Sequence, residues 1–482
     1  MRQLFLSVIF CVTYCLPLAA QIEFQFSQQV FESGLEGITA VTFGPDGYLY
    51  YQELDGDIFR SGINSDGTST GRQQVFDAPA DQFFSIGLEF SPGATADNLE
   101  AFVSYSESNT ATTSNVGRLV LPSLGVTTPA TSDDRTTLIT GLTTGDPPSG
   151  GGGHTTNQFA FDPNDPNRLF FNSGSNTGNG DNEAALSAAT LVADVDALIN
   201  LPSPLNVANG VSSTDPVQIY ATGVRNAFDL VFHSSGELFT GINGNDGPST
   251  LPDDPSTLAN EAVGGPGDIV NPDETVARLT EGGFFGQPNN VREEFIPFGG
   301  NPTSGTDIFE VPQLPVGTQP NPLFDPDENF NLIENRAPGS SGSVSPNGIA
   351  EFTANTGLQG DLLVALFGAD DVIQTIDVDE DGNFVGTTNV LRDEFNNPLN
   401  FSFFDGIPGG SPGSPLDLVV DPTSGQIFVG LLRQSGGTSN PTNGDIVLLT
   451  PLASVSTVPE PTAAVLIGLG GLLFTCRRRR LA

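Results

Sequence analysis

The chain has 482 residues, 57 acidic against 16 basic, and every basic residue is arginine, for a net charge of −41. A field of that sign excludes nucleic acid and anionic membrane surfaces as partners of the body and leaves divalent cations and neutral polymers as suitable ones. Disorder is excluded too, because 35 Phe and many Val, Leu and Ile recur in ordered patterns.

The N-terminus reads as a secretory signal peptide over residues 1–20. Arg2 precedes an apolar core from Leu4 to Leu18, and Leu18-Ala19-Ala20 stands before Gln21 as a cleavage site. Cys11 and Cys15 lie in this segment and Cys476 in the C-terminal tail. The body between them therefore has neither a disulfide nor thiol chemistry.

From residue 21 to about 455 one unit recurs: an apolar strand, a turn of Asp, Pro, Gly or Ser, and a second apolar strand. It starts at Ile38 ("ITAVTFGPDGYLYYQEL"), Ser85, Asn157, Ala227 ("AFDLVFHSSGELFTGING"), Asn347 and Pro415 ("PLDLVVDPTSGQIFVGLL"). Each half is β-rich and each turn carries turn chemistry. Outer strands follow in "VIQTIDVDEDGNFVG" and "DIVLLTP". Units that cannot bury their own faces must pack in an array. The pattern predicts an all-β, six-bladed β-propeller with long inter-blade loops; an array of β-sandwiches is the alternative. Helix is expected only as one or two turns in the segment from Asn182. The stretches 249–272, 299–345 and 434–444 are expected to be loops. "DVDEDGN" from Asp377 has Thr388 where an EF-hand needs glutamate, and reads as an outer hairpin turn.

Two histidines exist. His233 occupies a hairpin turn and reads as structural. His154 follows Gly150–Gly153 and stands at the start of an inner strand, an end that faces a propeller's channel. Arg225 and Asn226 occupy the same place before the fourth unit, and Asn243, Gly244 and Asn245 close that unit's hairpin.

With these segments in view, the body resembles the soluble glucose/sorbosone dehydrogenase family over about residues 36–450. The likeness is strongest at 154–175, 221–247 and 272–289. It implies a six-bladed enzyme using pyrroloquinoline quinone (PQQ) and calcium to oxidise a sugar. By the resemblance His154 is the catalytic base, a task suited to a pKa near 7, and Arg225 its catalytic partner on the quinone. Gln82, Asn226 and Asn243 fall at cofactor-binding positions, and the backbone of Gly244 and Asn245 at the calcium. Asp273-Glu274 and Gly286-Gln287-Pro288 echo a further family motif. The chain departs from the family in having no lysine, in placing Ser414 and Leu416 where two arginines are expected, and in placing Ser175 near the aspartate that orients the base.

The tail, 456–482, combines Val458-Pro459-Glu460-Pro461, an apolar run from Ala463 to Cys476 and the arginines 477–480. The run is 14 residues, against the roughly 17–25 of a stable span, and the arginines stay on the cytoplasmic side. The tail resembles a PEP-CTERM sorting signal, which implies transient inner-membrane anchoring and processing by an exosortase-type enzyme; an ordinary anchor is the alternative. The expected location is the Gram-negative cell envelope or outer surface. Two functions stay open. One is an exported PQQ- and calcium-dependent aldose dehydrogenase-like protein. The other is a noncatalytic surface or matrix propeller that binds carbohydrate, a polysaccharide included, or protein partners.

Overall fold

The computed structural model describes residues 25–108, 110–145, 154–177, 183–244, 274–287, 289–292, 294, 329–332, 344–354, 358–367, 371–385, 389–401, 413–432 and 444–452. Both termini, and with them the signal peptide and the sorting tail, lie outside these residues. No helix among the described residues is long and apolar enough to cross a membrane.

Six sheets, antiparallel but for the short parallel edge strands Ala130–Thr131 and Leu205–Asn206, form a six-bladed propeller. The inner hairpins are the six predicted units. They pair Ile38–Phe43 with Leu49–Glu53, Leu88–Phe90 with Leu99–Ser106, and Thr156–Asp162 with Asp165–Ser173. Leu230–Phe232 pairs with Leu238–Ile242, Pro346–Glu351 with Leu362–Leu366, and Ser414–Val420 with Ile427–Leu432. The first turn shows why the local sequence folds this way. Gly47 has φ +80°, which glycine adopts freely. Asp46 accepts from Tyr48 N at 3.2 Å and from the Tyr50 hydroxyl at 2.9 Å, tying the turn to the strand that leaves it.

Alternating strand residues send apolar side chains to both faces of each sheet, and six buried clusters result. One lies between each pair of neighbouring blades, so the ring of cores is closed. The last cluster joins blade 6 to blade 1 through Phe428, Ile446 and Leu448 against Ile38, Val41 and Leu49. Phe31 and Leu35 in that cluster belong to a strand the repeat pattern did not reveal. Phe26–Leu35 runs antiparallel to Gly444–Pro451 as the outermost strand of blade 6, with Phe26 opposite Pro451 and Leu35 opposite Gly444. The two ends of the body thus close the ring by sharing one sheet.

One expectation needs correction. Part of the stretch 299–345 is strand: Asn329–Asn331 pairs with Thr275–Leu279 as the outer edge of blade 4, because that blade has no other segment to cover its edge among the described residues. The segment from Asn182 holds the strand Ala189–Asp194 and then, as expected, between one and two turns of helix. Helix is confined to Val195–Ile199, capped by the Asp194 carboxylate on Ala197 N at 2.9 Å. The loop 434–444 lies outside the described residues but for Gly444, which is strand. The turn at Asp377 is an outer hairpin as expected, with Asp379 accepting from Asp381 N and Asn383 N.

Side chains on the inner strands stitch the blades across the channel. Asp417 accepts from Val41 N of blade 1 at 2.7 Å, and Gln158 of blade 3 donates to the same carboxylate at 3.1 Å. Asp229 of blade 4 accepts from Ile349 N of blade 5 at 3.0 Å. Blades 5 and 6 approach so closely that a Cβ on Gly348 would lie 2.7 Å from Asp417 Cα.

Candidate functional site

Every inner strand runs from one face of the ring, the leading face, to the opposite face, where the inner hairpins turn. His154 and Arg225 both lie on the leading face, as expected of residues that precede inner strands. Backbone hydrogen bonds lock them together through one intermediate. His154 N donates to Ser175 O at 2.8 Å, and Ser175 N donates to Arg225 O at 2.6 Å. Ser175 lies at the end of the second strand of blade 3, so that strand carries the wedge that holds the pair.

The wedge has its own support. Glu183 is buried and accepts from the hydroxyls of Ser175, Ser187 and Thr177, and from the backbone N of Asn176 and Thr177. The oxygen-rich stretch after Asn172 is therefore organised around a carboxylate of the chain itself. Sequence reasoning missed Glu183; the signal was an acid just after a Ser/Asn/Thr-rich loop. Next to the wedge, a Cβ on Gly174 would meet His154 Cβ at 2.5 Å and Thr155 O at 3.0 Å. We expect Gly174→Ala to displace His154, to cost on the order of 1–3 kcal/mol of stability as an overpacked site does, and to abolish ligand binding at this face. Thermal melts and the sugar titration described below check both effects.

His154 Nε2 is closed off from solvent and has no hydrogen-bond partner among the described residues. Enclosure, and then the nearby Arg225 charge, push the imidazole down to about 3. The ring is thus neutral at any ordinary pH, its pKa well below the value near 7 expected of the base, because enclosure disfavours the charged form and Arg225 opposes a second positive charge beside it. It keeps a free lone pair, and it is a weaker base than expected.

The remaining predicted residues divide. Arg225 is buried and sits at the leading face. Asn226 is buried, but its Oδ1 accepts from Asn157 Nδ2 at 2.8 Å, and its backbone O accepts from Asn243 N at 3.1 Å. Asn243 is half-buried; its Nδ2 donates to Ser345 Oγ at 3.2 Å, while its Oδ1 is unpartnered. Gln82 is engaged at both ends of its amide, accepting from Arg135 Nη1 at 2.6 Å and donating to Ser85 Oγ at 2.9 Å. That places it in the joint between blades 1 and 2. Gly244 is half-buried beside Asn243, and Asn245 lies outside the described residues. Gln287 N donates to Gly223 O at 2.8 Å, which brings the 286–287 segment to the same face. His233 is structural: its Nδ1 accepts from Ser235 N at 3.0 Å and its Nε2 contacts Gly360 O at 2.8 Å.

One feature of the leading face was invisible in the sequence. Six buried polar atoms of uncharged side chains have no hydrogen-bond partner among the described residues: Gln52 Oε1, Ser106 Oγ, Thr144 Oγ1, His154 Nε2, Asn243 Oδ1 and Gln287 Oε1. Five of them sit where strands begin or end at the leading face, and Gln287 is held there by its bond to Gly223. No group of three or more His, Cys, Asp or Glu among the described residues is placed to hold a metal.

No family model and no curated protein matches the chain. Solved structures do resemble it. The holo PQQ domain of pyranose dehydrogenase from Coprinopsis cinerea is 16% identical, with a TM-score of 0.50 over 90% of this chain and 99% of that one. The calcium structure of a family AA12 carbohydrate-active enzyme from Trichoderma reesei is 16% identical, with a TM-score of 0.53 over 90% and 97%. Its iodide structure gives 0.54 at the same identity, over 90% and 98%. At this level of identity the likeness is one of fold.

Proposed function

We propose that this chain is an exported, sugar dehydrogenase-like propeller that binds a saccharide at its leading face, against His154 and Arg225. The observation that carries this reading is the set of six unpartnered polar atoms at that face. Each such atom costs about 1–3 kcal/mol when buried unpaired. Four of them are amide oxygens or a ring nitrogen and two are hydroxyls. A neutral ligand dense in hydroxyls satisfies both kinds, and it suits a body with a net charge of −41. His154, held neutral, accepts the hydroxyl proton of a bound sugar in a hydrogen bond, and the buried Arg225 donates to an electron-rich oxygen.

Quinone-dependent oxidation of that sugar is the second reading. It is favoured by the His154–Arg225 pair on a fold shared with a pyranose dehydrogenase PQQ domain. The residues present do not fit PQQ well. Three carboxylates meet one arginine, no lysine exists, and Leu416 is buried and apolar where a cation is expected. Burying carboxylates without cationic partners costs several kcal/mol each, as an order of magnitude. No catalytic step is therefore derived through the quinone. The expected calcium ligands at Gly244 and Asn245, the sorting signal, the exosortase-type partner and the envelope location belong to this proposal and rest on the sequence resemblance.

Calorimetric titration of the purified protein with aldoses and oligosaccharides, and in parallel with PQQ in calcium, separates the readings. We expect a sugar to bind and His154→Ala to weaken it by about tenfold or more, with PQQ binding no tighter than micromolar. Nanomolar PQQ binding with sugar-dependent dye reduction, lost by about 10²–10⁴-fold in His154→Ala, replaces the first reading with the second. Binding of neither removes both.

A further inference from the structure

The channel has another opening on the turn face, at the far end from His154 and Arg225. A cavity of about 570 Å³ lies there, within the size range of small-molecule sites. Its walls include Glu89 of blade 2, Phe159 and Phe161 of blade 3, Leu230 and Phe232 of blade 4, and Glu351 of blade 5. None of the residues singled out for the leading face lines it. Two rings at its rim are held in place: Phe161 packs edge-on to Phe102 at 5.5 Å and Phe232 edge-on to Phe170 at 5.3 Å.

The charges in this cavity are unbalanced. Glu89 and Glu351 line it, and no arginine does. Glu351 is occupied, since its Oε2 accepts from Ser234 N at 2.7 Å and its Oε1 lies 3.7 Å from His233 Nε2. The His233 ring is itself committed to Ser235 and Gly360. Glu89 has no hydrogen-bond partner among the described residues. Its charged neighbour is another acid, Asp229, and enclosure together with that repulsion pushes its carboxyl up to about 8. A carboxylate so placed is costly unless a cation joins it. A hard metal ion suits the cavity poorly, because calcium takes six to eight oxygen ligands, whereas here one uncommitted carboxylate stands beside the rings of Phe159, Phe161 and Phe232, with Asn164, His233, Ser234, Ser235 and the committed Glu351 as the other polar lining. A positive charge carried on an apolar body meets both the acid and the rings.

We infer that this cavity is a second binding site, for a small organic cation with an ammonium or guanidinium group on an apolar body, and that Glu89 is its counter-ion. The site is independent of the sugar reading, because it shares no residue with the leading face.

The test compares phenethylamine, its neutral isostere 2-phenylethanol, and calcium, by calorimetry on the purified protein at a pH above 8, where Glu89 is ionised. The amine is expected to bind at least about tenfold more tightly than the alcohol, the worth of one charge-assisted contact. Glu89→Gln is expected to abolish that advantage while leaving the alcohol unchanged. It should also raise the melting temperature, because it removes a half-buried acid that has no cationic partner among the described residues. Equal affinity for amine and alcohol, or an amine affinity untouched by Glu89→Gln, overturns the inference. Displacement of the amine by calcium at similar concentration reassigns the cavity to a metal and overturns it as well. If Glu89→Gln does not fold, the comparison of amine with alcohol on the unaltered protein decides alone.

Discussion

Raising the pH from about 5 to about 8 is expected to lower the unfolding free energy of this protein by several kcal/mol, the reverse of ordinary acid denaturation. The cause is a set of enclosed carboxyls without cationic partners. Burial lifts Asp229 to about 7, Glu53 to about 7 and Asp361 to about 7, and burial with Asp229 lifts Glu89 to about 8. Asp417, facing Asp229 across the channel, is raised well above its ordinary value by burial and by that neighbour. The native state therefore holds protons that the unfolded chain releases near pH 4. Stability is fully present below that pH and is lost as the pH rises through 7 to 8. Holding Asp229 at about 7 rather than 3.8 corresponds to roughly 4 kcal/mol once the solution is more alkaline. Domains are stable by only about 5–15 kcal/mol, so the loss is large. Asp66 and Asp379, lowered by hydrogen bonds on exposed turns, act in the opposite sense but below the ordinary carboxylate range, outside this window. His154, held down at about 3 against an ordinary 6.5, opposes the loss between pH 5 and 6.5 and offsets about 2 kcal/mol of it. Urea unfolding at the two pH values and fixed ionic strength measures the effect. Asp417→Asn should flatten the profile, because it removes the acid that confronts Asp229. Stability that is level or rises between pH 5 and 8 would show that these carboxyls are solvated or neutralised.

Deleting residues 26–35 is expected to abolish cooperative folding. The deletion removes the buried Phe26, Phe31 and Leu35, each worth about 1.5–3 kcal/mol. It also uncovers the edge of Gly444–Pro451, whose Ile446, Val447, Leu448 and Leu449 are fully buried. An exposed apolar edge strand promotes pairing between chains. The expected result is loss of protease resistance and of a monomeric elution profile. A truncated protein that melts cooperatively within a few degrees of the intact one would show that this strand does not close the ring.

The six inner hairpins were legible because their information is local. Period-two alternation and a turn of Pro-Asp-Gly or Ser-Ser-Gly type lie within about 20 residues of sequence, and such patterns specify a hairpin whatever surrounds it. His154 and Arg225 were legible for the same reason, since each immediately precedes an inner strand and so must lie at the leading face. The strand Phe26–Leu35 was not, because "FSQQVFESGL" alternates weakly and its partner stands at the other end of the body. Gln82 stood before an inner strand in the same way, yet its amide turned inward to Arg135, which no spacing announces.

What the sequence determined by itself was the repeating unit, hence the all-β class and the blade count, along with the acidic, cysteine-free body. Only the tertiary structure decided which strand closes the ring and that Asp229 and Asp417 meet in the channel. It alone decided that Glu89 lies in a cavity without a cation, and that the unpartnered polar atoms gather at one face. The physical reason is range. Strand and turn preferences act between residues close in the chain, whereas desolvation and charge–charge repulsion act between whatever groups the closed ring brings together.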